Sequence, residues 1–364
     1  MGLGATSSGV KRSMDAKRGS LCHGGHNLPK AELWRTDQTQ INIFVKQEEK
    51  NTMKILSSIK ISDDLLKKLL AIRPGAQIVQ VRDFTEADPE ADVLLTYGWD
   101  IKKDTIDLYP SLKWIQTLSA GVDMLPLDRL VSRGVMLANV KGAHKIQMAE
   151  HVIWSILMLL RQGNTFVSQQ EQKIFSVNPK ISEMYGKSVC IVGAGTIGKE
   201  IAKRCGAFGM TVYGVSLHGG QDQAFARIVT PEEMPGILSV SDVVVIVLPL
   251  TSETKDFVNA DFIHQMKDGA RFVNVARGQV VDEDALIEAL KSKKIAAAAL
   301  DVFRKEPLPE DSPFWELDNV FLTPHIGGRT IQTSERMWEV FQTNLVKYPD
   351  PGQMINIIDY MAGY

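Results

Sequence analysis

The stretch Ser188-Val189-Cys190-Ile191-Val192-Gly193-Ala194-Gly195-Thr196-Ile197-Gly198, running on into Lys199-Glu200-Ile201-Ala202, decides the fold. Ser188–Val192 is a short β-branched run and reads as a buried strand. A Gly-x-Gly-x-x-Gly follows, then a helical pattern with Ile197, Ile201 and Ala202 on one face. Glycines also mark ordinary turns, so the motif alone is a weak signal. The strand before it and the helix after it are the context a dinucleotide site requires. In that context Gly193 permits the tight turn, Gly195 lets backbone approach a pyrophosphate, and Gly198 lets the helix pack close to the strand. The phosphates meet a helix N-terminus, where free N–H groups and the dipole favour anions.

Downstream, the chain supplies further strands at Thr211–Val215, Asp242–Leu248, Arg271–Val275, Ala296–Leu300 and Asn319–Leu322. Arg277, Glu306 and His325 each fall beyond the carboxyl end of one of them. Ligands of open α/β sheets bind along that edge, so three strands bring an Arg, a Glu and a His to one crevice. Taken singly, each has a plainer explanation: a solvated loop arginine, a surface charge, a capped core histidine. Together they suit reduction of a 2-keto acid. Arginine grips the carboxylate with a planar fork and keeps its proton. Histidine donates a proton to the carbonyl oxygen as hydride reaches the carbon. A neighbouring carboxylate, Glu306, favours the imidazolium and orients the ring. A nicotinamide carries the hydride, and Asp301, at a strand end, is placed to bind its carboxamide.

Upstream, strands Met53–Ser57, Gln77–Val81, Asp92–Thr96, Lys113–Thr117 and Val135–Ala138 alternate with helical segments. The first of these is capped by Ser62 and ends at Pro74-Gly75. Such alternation implies a parallel sheet covered on both faces. This half carries no phosphate loop, so it reads as the substrate side. Tyr97-Gly98 would offer backbone N–H groups to an anion, with a simple turn as the alternative. Gln147–Gln162 reads as a long helix between the domains, with Glu150 early and Arg161 late as the dipole prefers.

The chain has 364 residues, enough for two domains, and its apolar content of 44% supplies two cores. A formal net charge of −2 gives no reason to expect a nucleic-acid or membrane partner. Three scattered cysteines, Cys22, Cys190 and Cys205, do not form a disulfide framework, and a cytoplasmic setting is expected. Residues 1–51 show no sustained period and read as a disordered or spurious extension ahead of a natural start at Met53. Glu48-Glu49-Lys50 would have purine-rich codons, as a ribosome-binding site read through by mistake would. Cys22, His23 and His26 lack a second ligand pair, so no metal is expected.

From Met53 to Tyr364 the chain resembles the D-isomer-specific 2-hydroxyacid dehydrogenase family. The resemblance rests on the glycine loop, Asn274-Val275-Ala276-Arg277-Gly278, Asp301-Val302-Phe303 with Glu306-Pro307-Leu308-Pro309, and Thr323-Pro324-His325-Ile326-Gly327-Gly328. Trp114-Ile115-Gln116 and Ser119-Ala120-Gly121-Val122-Asp123 also fit. It implies an α/β fold of two doubly wound parallel-sheet domains, a Rossmann-type nucleotide domain inserted into a flavodoxin-like substrate domain. Residues 52–147 and 335–364 would form the substrate domain and 148–334 the dinucleotide-binding domain. Arg277, Glu306 and His325 would be catalytic. Gly193, Gly195, Thr196, Ile197, Gly198, Ser216, Pro249, Thr254, Ala276, Asp301 and Gly327 would contact NAD(P), and Tyr97, Gly98 and Arg277 the substrate. A homodimer is expected. NAD-using members carry an acidic residue where this chain has Ser216, followed by His218, so NADP is slightly favoured. Glu306 argues against the formate dehydrogenase branch, which pairs its histidine with glutamine. The expected substrates are small 2-keto acids of the glyoxylate, hydroxypyruvate or pyruvate type. The competing reading is a nucleotide-sensing binding module resembling the corepressor relatives of these enzymes.

Overall fold

The computed structural model describes residues 52–86 and 89–360. The extension read over residues 1–51, with its Cys22, His23 and His26, lies outside the described residues.

Two parallel sheets organise the described chain. The first contains β1 (Lys54–Ser57), β2 (Gln77–Gln80), β3 (Val93–Thr96), β4 (Trp114–Thr117) and β5 (Met136–Ala138), in the order β2-β1-β3-β4-β5. This is the flavodoxin-like order. The second contains β6 (Ser188–Val192), β7 (Thr211–Val215), β8 (Arg227–Val229), β9 (Val243–Ile246), β10 (Ala270–Asn274), β11 (Ile295–Leu300) and β12 (Val320–Leu322). Its order, β12-β11-β10-β9-β6-β7-β8, is the Rossmann order extended by one strand. The order reverses between β6 and β9, which opens a crevice at their carboxyl ends, next to the glycine loop. β3, β4 and β9 are buried at every residue, as strands covered on both faces must be.

The Lys145–Leu160 helix starts two residues earlier than its sequence pattern suggested, and Arg161 caps it. It packs on the glycine-loop helix, Thr196–Ala207, through Val152, Ile156, Ile201 and Ala202. The Thr333–Lys347 helix goes back to the first sheet, where Met337, Trp338, Phe341 and Leu345 join Ile55, Val93, Leu95 and Trp114 in one core. No helix among the described residues is long and apolar enough to cross a membrane.

Among the elements that the sequence pattern did not bring out are β8 and the Gly163–Glu171 helix. β8 is a three-residue edge strand that begins with an exposed arginine. The Gly163–Glu171 helix buries none of its residues and so lacks an apolar stripe.

Candidate active site

The glycine loop follows β6. Gly193 has φ +114, and a Cβ there would lie 2.6 Å from the Val247 carbonyl oxygen. A Cβ on Gly198 would lie 2.1 Å from the Gly193 carbonyl oxygen, so the helix could not seat against the loop. Gly195 differs: nothing lies within 4 Å of an added Cβ. Packing therefore does not require a glycine at 195, whereas the close approach of a ligand would. Gly195 is also the N-cap of the Thr196–Ala207 helix, with extended backbone and no side-chain hydrogen bond to the first turn. An open, side-chain-free helix N-terminus at a strand-order reversal fits a dinucleotide pyrophosphate.

β10 delivers Arg277. Asn274, buried, shapes the turn: its Oδ1 accepts from Ala276 N at 3.1 Å, and its Nδ2 donates to Arg277 O at 3.3 Å. Gly278 is indispensable there, because a Cβ would fall 1.9 Å from the Phe303 carbonyl carbon. The Arg277 side chain reaches across to the first sheet. Nη1 donates to Ala276 O at 2.8 Å, and Nη2 lies 3.5 Å from Asp123 Oδ1. It passes over Gly121, where a Cβ would sit 2.1 Å from Nη2.

β11 delivers Asp301 and then Glu306. Phe303 N donates to Glu306 Oε1 at 3.0 Å, leaving Oε2 to meet His325 Nδ1 at 2.7 Å. The close approach of Gly278 to Phe303 thus joins the Arg277 turn to the loop that carries Glu306. β12 delivers His325, whose backbone is left-handed at φ +53 and whose N–H donates to Asp301 O at 2.8 Å. Asp301 is 2% exposed. Its Oδ1 accepts from Thr323 Oγ1 at 2.6 Å and Ile326 N at 2.9 Å, and its Oδ2 accepts from Gly327 N at 2.9 Å. One buried carboxylate therefore holds the turn that presents His325. His151, on the Lys145–Leu160 helix, faces the same group, with Nε2 3.3 Å from Thr323 Oγ1 and 3.6 Å from Asp301 Oδ1. Burial holds the His151 ring below its ordinary protonation range, against the pull of Asp301.

The remaining positions lie along the same two strand edges. Ser216 follows β7, and its hydroxyl donates to Gly219 O at 3.1 Å. Pro249 and Thr254 share the loop after β9, where Thr254 Oγ1 donates to Pro249 O at 2.7 Å. Ala276 is buried beside Arg277. On the first sheet, Tyr97 and Trp99 stack with centroids 4.9 Å apart, and Trp99 is 64% exposed. Of the two readings of Tyr97-Gly98, an anion contact or a simple turn, the Gly98 amide shows the turn, donating to Thr96 Oγ1 at 2.8 Å. The hydroxyl two residues back closes the turn and competes for that N–H. Ser119 Oγ, 4.0 Å from a Cβ placed on Gly98, donates to Gly121 O at 2.9 Å, which links this turn to the Arg277 contact. Sequence reasoning gave Asp123 and Gly121 no role. Their only signal was that they stood in a segment that fitted the family.

The family described as D-isomer specific 2-hydroxyacid dehydrogenase, NAD binding domain, matches residues 153–327. The chain is 34% identical over 286 residues to the D-3-phosphoglycerate dehydrogenase of Bacillus subtilis, covering 76% of this chain and 53% of that one. It thus spans about half the length of that relative. It is 35% identical over 270 residues to the glyoxylate reductase of Thermofilum pendens, covering 71% and 78% respectively. Among solved structures, the D-isomer specific 2-hydroxyacid dehydrogenase from Xanthobacter autotrophicus, in complex with NADPH and MES, is similar with a TM-score of 0.72 at 31% identity, covering 86% and 99%.

Proposed function

The chain belongs to the D-isomer-specific 2-hydroxyacid dehydrogenase family, and from that membership we propose that it is an NAD(P)-dependent oxidoreductase reducing small 2-keto acids to D-2-hydroxy acids. Glyoxylate, hydroxypyruvate and pyruvate are the favoured substrates. The observation that carries the reading is the His325–Glu306 hydrogen bond, on the strand edge that also bears Arg277 and the open glycine loop.

Arg277 binds the substrate carboxylate through its guanidinium, positioned by Asp123 and by the space over Gly121. His325, engaged through Nδ1 with Glu306, turns Nε2 to the carbonyl oxygen and passes it a proton. Glu306 balances the charge of the protonated ring. NAD(P)H supplies the hydride when bound. Gly193, Gly195, Thr196, Ile197 and Gly198 would hold its pyrophosphate and Ser216 its adenosine ribose. Pro249, Thr254, Ala276, Asp301 and Gly327 would line the rest, with Asp301 meeting the carboxamide through Oδ2. Tyr97 and Trp99 border the substrate side.

In the same reading, residues 52–147 and 335–364 form the substrate domain and 148–334 the dinucleotide domain. The two sheets support this, since the glycine loop stands on the second. A homodimer also belongs to the reading. Ile174, Phe175, Val177, Ile181 and Tyr185 leave a run of apolar side chains exposed, the kind of surface a subunit interface covers. The buried free thiols of Cys190 and Cys205 suit a reducing, cytoplasmic setting.

The test is a spectrophotometric screen of 2-keto acids with NADH and with NADPH, read as loss of the reduced nicotinamide. Turnover of at least one small keto acid is expected. Tight nucleotide binding without turnover of any would favour the nucleotide-sensing module instead.

A further inference from the structure

The loop after β7 folds back on the glycine loop and brings a carboxylate with it. Phe225 N donates to Asp222 O at 3.0 Å, closing a turn, and Phe225 is buried. Its ring is packed so closely that a Cβ on Gly214 would lie 2.8 Å from it and 3.1 Å from the Ala194 Cβ. The Asp222–Phe225 turn therefore sits against the glycine loop itself. Within it, Asp222 Oδ1 accepts from Ala224 N at 3.0 Å. Asp222 Oδ2 lies 3.1 Å from Lys199 Nζ, on the first turn of the glycine-loop helix. These bonds hold the Asp222 carboxyl below its usual range, the Ala224 N–H contributing most and Lys199 next, with Lys203 also nearby. The pair stays within reach of solvent, at 46% exposure for Lys199 and 21% for Asp222.

This arrangement brackets the place where an adenosine ribose rests, between the end of β7 and the glycine-loop helix. Ser216, at the strand end, is neutral, and its proton is already given to Gly219 O. The ion pair on that side is Lys199 with Asp222, and Lys203 lies nearby. Resting on the cofactor reading above, we propose that the Lys199–Asp222 ion pair sets the choice between NADH and NADPH. A 2′-phosphate draws Lys199 away from Asp222 and meets repulsion from the carboxylate left behind. A bare ribose leaves the pair closed, and Asp222 accepts from its hydroxyls. The enzyme then accepts both nucleotides, with the balance held by two side chains outside the strand-end position.

The experiment measures dissociation constants of NADPH and NADH by isothermal titration calorimetry for the wild type, Lys199→Met and Asp222→Asn. The asparagine keeps an oxygen for Ala224 N, and the methionine leaves the Asp222 turn intact, so the two variants disturb the fold in different ways. Lys199→Met should weaken NADPH by about fivefold with NADH within about twofold. Asp222→Asn should tighten NADPH relative to NADH by a similar factor, the scale of a half-exposed ion pair. An unchanged NADPH-to-NADH ratio in both variants overturns the proposal and leaves the enzyme reading standing. A wild-type protein that binds neither nucleotide overturns both.

Discussion

His325 Nδ1 lies 2.7 Å from Glu306 Oε2, and the backbone at His325 is held left-handed at φ +53. The ring is therefore fixed at both ends, by its own main chain and by a carboxylate from the neighbouring strand. His325→Ala should lower kcat by about 10²–10⁴, the usual worth of a positioned proton donor. Glu306→Gln should lower kcat by about tenfold or more with the cofactor dissociation constant unchanged, because the carboxylate that orients the ring through Nδ1 is replaced by a neutral amide. Wild-type kcat in that variant would show that the contact is only structural.

Arg277 bears on substrate capture. Arg277→Ala should lower kcat/KM by about 10²–10⁴ while leaving the cofactor dissociation constant nearly unchanged. Gly121→Ala is the subtler change. Its methyl needs the space 2.1 Å from Nη2, so the guanidinium must move. We expect KM for the keto acid to rise by about tenfold, with cofactor binding intact. Wild-type KM in Gly121→Ala would sink the assignment.

The three glycines of the loop separate binding from folding. Gly195→Ala meets no protein atom within 4 Å and should leave the melting temperature unchanged while weakening nucleotide binding by about tenfold or more. Gly198→Ala drives a methyl into the Gly193 carbonyl and should destabilise the protein by several kcal/mol, on the order of other overpacked cores. Equal melting temperatures in the two variants would contradict this division.

Ser216 offers a hydroxyl where a carboxylate would repel a 2′-phosphate. Ser216→Asp should shift the ratio of catalytic efficiencies toward NADH by about tenfold, since a close like charge costs over ~1 kcal/mol in a partly buried site. The ratio with both cofactors, before and after the change, is the measurement. No shift would mean that the ribose is read elsewhere.

Stability should fall on the acid side. Burial lowers the pKa of His151 from 6.5, and burial lowers that of His144 from the same value despite the Gly328 carbonyl. The unfolded chain takes up protons near pH 6.5 that the folded chain refuses, so it binds more protons there. The contribution is complete above that value and is lost as the pH falls toward the lower folded values. The urea midpoint should drop between neutral and mildly acidic pH, and His151→Gln should lessen the drop. An identical pH dependence in the variant would clear His151 of the effect.

Much of this was legible in the sequence for physical reasons. β9 is all β-branched and buried, and β6 leads into a glycine spacing that tolerates few other packings. Arg277 and His325 come three residues after a readable strand and Glu306 six, which is why the sequence could bring them to one edge of the sheet. What escaped had no local signature. Asp123 meets Arg277 across 154 positions of chain. Asp301 could be read as a strand-end carboxylate, but nothing local signals that it also holds the backbone of three successive residues, 325 to 327. Gly98 could be read as an anion contact or as a simple turn, and only the structure shows the Thr96 hydroxyl on its amide.

The return of the C-terminal segment to the first sheet sets an order of events during synthesis. Trp114 stacks on Tyr348 at 5.2 Å, Gln116 Oε1 accepts from Asn344 Nδ2 at 2.9 Å, and Ile358 N donates to Leu137 O at 2.8 Å. The strands of the first sheet therefore wait for residues 333–358 before their core can close. The second sheet, contiguous from β6 to β12, has all its strands some time earlier and can form as a unit. A nascent chain stalled after β12 should carry a protease-resistant second sheet attached to an open, digestible first one. A stop codon within the Thr333–Lys347 helix should leave the core of the first sheet permanently open.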